Sequence, residues 1–144
     1  MNLDAIILNI RKLNLDEIAD LSKKLLELDL DNVYIHLKDQ SYVFFYFSMA
    51  MAKLNKDYED LLVDLNKIKF ETRQKEEETK QKKLTEKYLE AFVDAHPDII
   101  RQQKKVNEYN CQLEIFRGLV KSLEQRRDMV VQMSSNKRAE IKLH

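Results

Sequence analysis

The apolar residues Phe44, Phe47, Met51, Leu54, Tyr58, Leu61, Leu65 and Ile68 recur at alternating spacings of four and three along the chain. That is the heptad period of a helix lying along a neighbour, and about four heptads of it favour a coiled-coil seam between chains. An ordinary amphipathic helix packed inside one subunit is the alternative. The aromatic run Tyr42 to Phe47 feeds this periodicity, so a helix is preferred there over a hairpin made with Val33, Ile35 and Leu37, which alternate with Tyr34 and His36. Upstream, residues 2 to 29 read as one or two short helices capped at Asn14 or Asp16. Ile18, Leu21, Leu25 and Leu28 share a face, and Asp29, Asp31 and Asn32 mark a turn.

Beyond Ile68 the stripe passes through Thr72, Lys75, Thr79 and Lys82. The seam turns polar while the composition stays helix-forming, so the helix is expected to outlive its partner contact. Glu71 and Lys75, Glu76 and Lys80, and Glu78 and Lys82 stand four apart in the favourable order, each pair adding about 0.2–0.5 kcal/mol. Thr85 reads as the cap of a short helix from Glu86 to Ala95 with Leu89 and Phe92 inward. His96 and Pro97 then break the chain, since proline suits a first helical turn and not an interior.

A last helix follows, with Ile99, Val106, Tyr109, Leu113, Phe116, Val120, Leu123 and Val130 in its stripe and Ile115, Leu119, Met129 and Met133 widening it. Gly118 in its middle suggests a close helix crossing. Ser134, Ser135 and Asn136 weaken its end and leave a mobile or partner-ordered basic tail with Lys137, Arg138 and Lys142. The expected fold is all-α: a long heptad helix packed with a long C-terminal helix in a helical oligomer. Residues 1–40 form short helices and a turn, and residues 41–144 the oligomerisation and binding region of a single domain.

Composition sharpens this. One Gly and one Pro in 144 residues, where average usage supplies roughly ten and seven, exclude a turn-rich β fold and glycine-built phosphate loops. Cys111 is the only cysteine and reads as buried packing. The three histidines, His36, His96 and His144, lie far apart, so neither a disulfide nor a zinc set is drawn. No cofactor is expected. No signal peptide is read at the N-terminus, and the uncharged stretch Gln40 to Ala52 is too short to span a bilayer. No membrane association and a cytoplasmic location are expected.

The 25 basic and 25 acidic residues cancel, but not evenly. Residues 1–66 hold 7 basic and 12 acidic, and residues 67–144 hold 18 and 13. In residues 67–87, Lys67, Lys69, Arg73 and Lys75 surround Phe70, with Lys80, Lys82, Lys83, Lys87 and Tyr88 following. Cations beside aromatics suit a single-stranded nucleic acid, whose phosphates follow the charge and whose bases stack on rings. Interspersed glutamates give the competing reading of a self-paired, solvated helix face. Arg117, Lys121, Arg126, Arg127, Lys137 and Arg138 form a second basic set, in which the arginines snorkel or pair with Glu124, Asp128 or a partner's acid. Asp57, Asp60 and Asp64 share a face but have lysines beside them and no histidine. No nucleophile, base and orienting group assemble, and no enzyme is read.

The Thr85–Glu86 pair, the Asp94-to-Pro97 break and a long final helix carrying Leu119, Leu123, Arg127 and Arg138 resemble small phage recombination mediator proteins of the UvsY type, over roughly residues 45 to 142. The resemblance implies a non-enzymatic, ring-like homo-oligomer that binds single-stranded DNA. It also implies that the protein helps a RecA-like recombinase replace single-strand-binding protein, in the host cytoplasm if phage-encoded. DNA binding then falls on Lys67, Lys69, Phe70, Arg73, Lys75, Lys82 and Lys83, and assembly on Leu113, Phe116, Val120, Leu123, Arg127 and Val130. The chain departs from the family where the Glu/Lys block 75–83 replaces a Tyr- and Gly-containing turn. Two other classes compete: a structural or adaptor coiled coil without nucleic-acid affinity, and a module docking a foreign protein through Tyr42 to Phe47.

Overall fold

A computed structural model of the chain describes residues 15–27, 33–80 and 83–142. Four helices account for almost all of them: α1 (Leu15–Leu26), α2 (Val33–Lys80), α3 (Glu86–Asp94) and α4 (Pro97–Lys142). The described residues contain no strand, so the aromatic run is helical and the hairpin alternative is gone. Residues 33–80 make one helix, and the segment boundary expected after residue 40 falls inside it. Asp16 sits in the first turn of α1 rather than capping it. Asn14, Leu28 and the turn at Asp29, Asp31 and Asn32 lie outside the described residues. None of the described helices is long and apolar enough to cross a membrane.

The chain divides into two compact units, residues 1–52 with 114–144, and residues 53–113. In the first, α1 and the start of α2 pack on the second half of α4. Leu25, Phe47, Phe116, Leu119, Leu123 and Val130 are buried. Burying side chains of this size contributes about 1.5–3 kcal/mol each.

Polar groups are buried in this unit too. The Gln40 amide donates from Nε2 to the Leu123 carbonyl at 3.1 Å, and its oxygen accepts from Arg126. Arg126 also donates to the Glu27 carbonyl at 3.0 Å, which ties the end of α1 to α4. Its third contact, His36 Nδ1 at 3.0 Å, fixes a tautomer. A guanidinium only donates, so Nδ1 carries the lone pair. Burial pushes the Arg126 guanidinium below its ordinary value. Arg127 keeps its charge outside, 5.3 Å over the Phe44 ring and beside Glu124 and Asp128 at 3.7 and 3.0 Å. The pairing expected of both arginines holds for Arg127 alone.

In the second unit Leu65, Val93, Ile99 and Val106 form the core, with Tyr58, Leu61, Leu62, Ile68 and Phe92 against it. Phe47, Leu54 and Leu65, spaced along the heptad stripe, are at most 3 % exposed within the single chain. The stripe is therefore filled by the chain itself, which corrects the expected seam between chains. The same holds for the assembly residues: Leu113, Phe116, Leu123 and Val130 are buried in the chain's own core, with Val120 and Arg127 half-buried beside them. The four buried residues are spent on the chain's own core.

Several local expectations change as well. The helix continues through Ser134, Ser135 and Asn136 to Lys142 because Ser134 is buried and its carbonyl and hydroxyl take Arg138, so the expected loose tail is helical. Met129 is exposed, and Leu119 takes the inward position. Cys111 is exposed rather than packed. A Cβ placed on Gly118 meets nothing within 4 Å, so no close crossing explains that glycine.

With room for a methyl group and a helical backbone, Gly118→Ala should stabilise the protein by about 0.5–1 kcal/mol, read as a raised urea midpoint. Leu123, fully buried, should cost about 2–5 kcal/mol as Leu123→Ala on the same measurement.

Candidate nucleic-acid interface

The basic segment lies in the second unit, where the end of α2, the short α3 and the start of α4 come together. Thr85 ends the link into α3 with extended backbone (φ −76°, ψ 147°), and its hydroxyl accepts from the Tyr88 N–H at 3.4 Å. Pro97 opens α4, and the imidazole Nδ1 of His96 accepts from the Asp98 N–H at 3.3 Å, capping the new helix.

α3 folds back onto the end of α2. Arg73 makes a fork to both carboxylate oxygens of Glu86, at 2.6 and 2.7 Å, and reaches Glu77 at 3.4 Å. Tyr88 donates its hydroxyl to Glu76 at 2.9 Å, and Glu76, buried among these groups, also meets Lys80 at 3.8 Å. The helix therefore does not outlive its packing: α3 supplies the partner that the polar stretch of the stripe lacked. Charge-assisted and bidentate contacts of this kind are stronger than neutral ones. They hold the Glu86 carboxyl below its ordinary range and raise the Arg73 guanidinium, while the hydrogen bond to Glu76 raises the Tyr88 phenol.

This geometry sorts the seven residues expected to bind DNA. Arg73 is committed to Glu86 and Glu77, and Lys69 stands 3.9 Å from Asp94. Lys67, Lys75 and Lys83 are exposed, and Phe70 is 67 % exposed. Lys82 lies outside the described residues. A groove of about 370 Å³ between α2 and α3 is lined by Lys69, Phe70, Arg73, Leu89, Glu90, Val93 and Asp94. A second, of about 290 Å³, runs on from Lys69 and Asp94 to Ile99, Ile100, Gln103, Lys104 and Asn107. The sequence reading missed this extension, because nothing local in Gln103, Lys104 and Asn107 ties them to residues thirty positions earlier.

Another cleft, about 570 Å³, lies between Glu71, Lys75 and Thr79 of α2 and the α4 residues Asp98, Arg101 and Lys105. Its lining mixes both charge signs. Among the described residues, no group of three or more His, Cys, Asp or Glu is placed to hold a metal ion. The surface can offer lysine ammonium groups, side-chain amides and the exposed rings of Phe70 and Tyr88.

No family model, no curated protein and no solved structure matches this chain.

The pairing across α2 and α3 has a pH signature. Glu86 has a depressed folded-state pKa, so its contribution to stability is present above about pH 4.3, the ordinary glutamate value, and is lost as pH falls through the lower folded value. Tyr88 is the reverse case: its contribution is present below about pH 10 and lost as pH rises through its raised folded value. A carboxyl NMR titration should give Glu86 a midpoint below ordinary glutamate, and Arg73→Ala should return it to that range. An unchanged midpoint in the variant would mean the fork does not form in solution.

Proposed function

We propose that this chain is a non-enzymatic helical protein that binds single-stranded DNA and acts as a recombination mediator, assisting a RecA-like recombinase to replace single-strand-binding protein. One observation carries the reading. In the unit formed by residues 53–113, four cations take up five of the nearby acids: Arg73 holds Glu77 and Glu86, Lys69 faces Asp94, Lys80 faces Glu76 and Arg101 faces Asp98. Lys67, Lys75, Lys83, Lys87, Lys104 and Lys105 stay exposed, with Asp64, Glu71, Glu78, Glu90 and Glu108 among and beside them. Exposed lysines therefore remain for a polyanion beside the chain's own ion pairs.

Lysines placed this way neutralise phosphates and release counterions, which gives affinity without sequence preference. A mediator needs that kind of contact, since it must hold whichever strand the recombinase will coat. The reading rests on the lysines and does not require Phe70. Arg73 works for the packing of α3, so its phosphate role is replaced by Lys67, Lys75 and Lys104. A separate face would bind recombinase.

The second reading, a structural or adaptor helical protein without nucleic-acid affinity, is favoured by the ion pairs themselves, because they show how much of the charge is spent within the chain.

Fluorescence anisotropy of a labelled oligo-dT against a matched duplex separates the two. Binding preferring the single strand should weaken with salt, and Lys67→Ala with Lys75→Ala should reduce the logarithmic salt slope by about 1.4, or roughly 0.7 for each lost contact. Absence of binding by the folded protein at low salt would leave the structural reading.

A further inference from the structure

Two apolar side chains of the second unit stay open to solvent along one depression of its surface: Phe70 is 67 % exposed and Ile100 43 %. Phe70 lines the groove between α2 and α3, and Ile100 lines the groove that continues it along α4. Lys69 and Asp94 line both and stand 3.9 Å apart, so the two grooves are one furrow crossed by an ion pair. That pair is long and reaches solvent at both ends, which makes it a weak tie. Arg73, at the Phe70 end, is held by its short fork to Glu86 and stays with α3.

We infer, resting on the proposed binding of single-stranded DNA, that this furrow seats unpaired bases, with Phe70 as the stacking platform and Ile100 as a second apolar contact. The phosphates stay outside it. The furrow's own charge makes this division: Lys69 and Lys104 are offset by Glu90 and Asp94, so it has no excess with which to draw in a phosphate, and its carboxylates repel one. A base carries no charge, and each base offers a flat face to an apolar side chain.

The margins supply what the furrow lacks. Lys67 lies three residues before Phe70 and Lys104 four after Ile100, and both are exposed, so each apolar contact has a lysine within one helical turn on its own face. At the α4 end Gln103 donates from Nε2 to Asn107 Oδ1 at 3.1 Å. That leaves Gln103 Oε1 as an acceptor and Asn107 Nδ2 as a donor for a base edge. Lysines alone give affinity for any polyanion, duplex included. Bases in a duplex are already stacked on one another, so the furrow is the source of single-strand preference.

Two strands of equal length separate bases from phosphates: oligo-dT, and a strand in which tetrahydrofuran spacers replace every nucleoside. By fluorescence anisotropy the full-length protein should bind oligo-dT about tenfold more tightly, with the same logarithmic salt slope for both strands. Phe70→Ala should remove most of that difference and Ile100→Ala part of it, and neither should change binding to the abasic strand. Circular dichroism and the urea midpoint confirm that both variants fold. Phe70→Trp should restore the difference. The native chain has no tryptophan, so the new indole is a sole reporter, quenched by oligo-dT and not by the abasic strand.

Equal binding of the two strands by the wild-type protein would overturn the inference and leave lysine-based DNA binding standing. So would an alanine variant of either residue that keeps the whole difference, or one that weakens both strands alike. Failure of the folded protein to bind either strand at low salt would remove the DNA-binding reading and this inference with it.

Discussion

The structure depends on one constraint: a chain with a single glycine and a single proline can bury apolar surface only by laying helix on helix. Turns are nearly unavailable to it, so its described elements are few and two of them are very long, 48 and 46 residues. Isolated helices gain little from propensity, and a stripe of buried side chains must supply the stability. In both compact units that stripe is the contact of α2 with α4, at Leu65, Ile99 and Val106 in one and at Phe47, Leu123 and Val130 in the other. The capped start of α3 at Thr85 and the proline that opens α4 allow the chain to reverse where it has almost no other means of doing so.

Where the stripe is not apolar, directional contacts take over. Gln40 occupies a core position of α2 and uses both ends of its amide, donating to the Leu123 carbonyl and accepting from Arg126. Such a contact contributes less than an apolar side chain of its size but tolerates no slippage, since a shift of one residue would leave a buried amide and a buried guanidinium without partners. Glu76 does the same near the other end of α2, held by Tyr88 and Lys80. Apolar layers thus supply cohesion, and these few polar contacts fix register.

The parts of this fold legible in the sequence were those that depend on neighbours three, four or seven residues away. The heptad stripe of α2, the Thr85 cap, the Pro97 break and most of the α4 stripe are of this kind. What could not be read was the identity of whatever fills a stripe, because periodicity specifies a face and not its occupant. The expected seam between chains therefore became a contact within the chain. Arg126 and Arg127 are adjacent and chemically identical, yet one turns into the Gln40 contact and the other lies over Phe44, a difference set by residues more than eighty positions away. The pairing of Arg73 could not be read for the same reason: its partner Glu86 lies in the next helix. Gly118 has no structural account beyond being tolerated at an exposed position.

The inner face of α2 is committed to the chain's own core, while its other face carries exposed Ile35, Tyr42, Met49, Val63 and Phe70 and the region around α3 carries exposed lysines. These two surfaces answer to different physics. An apolar heptad stripe binds by shape and burial and is little affected by salt, whereas a lysine track binds by counterion release and weakens as salt rises.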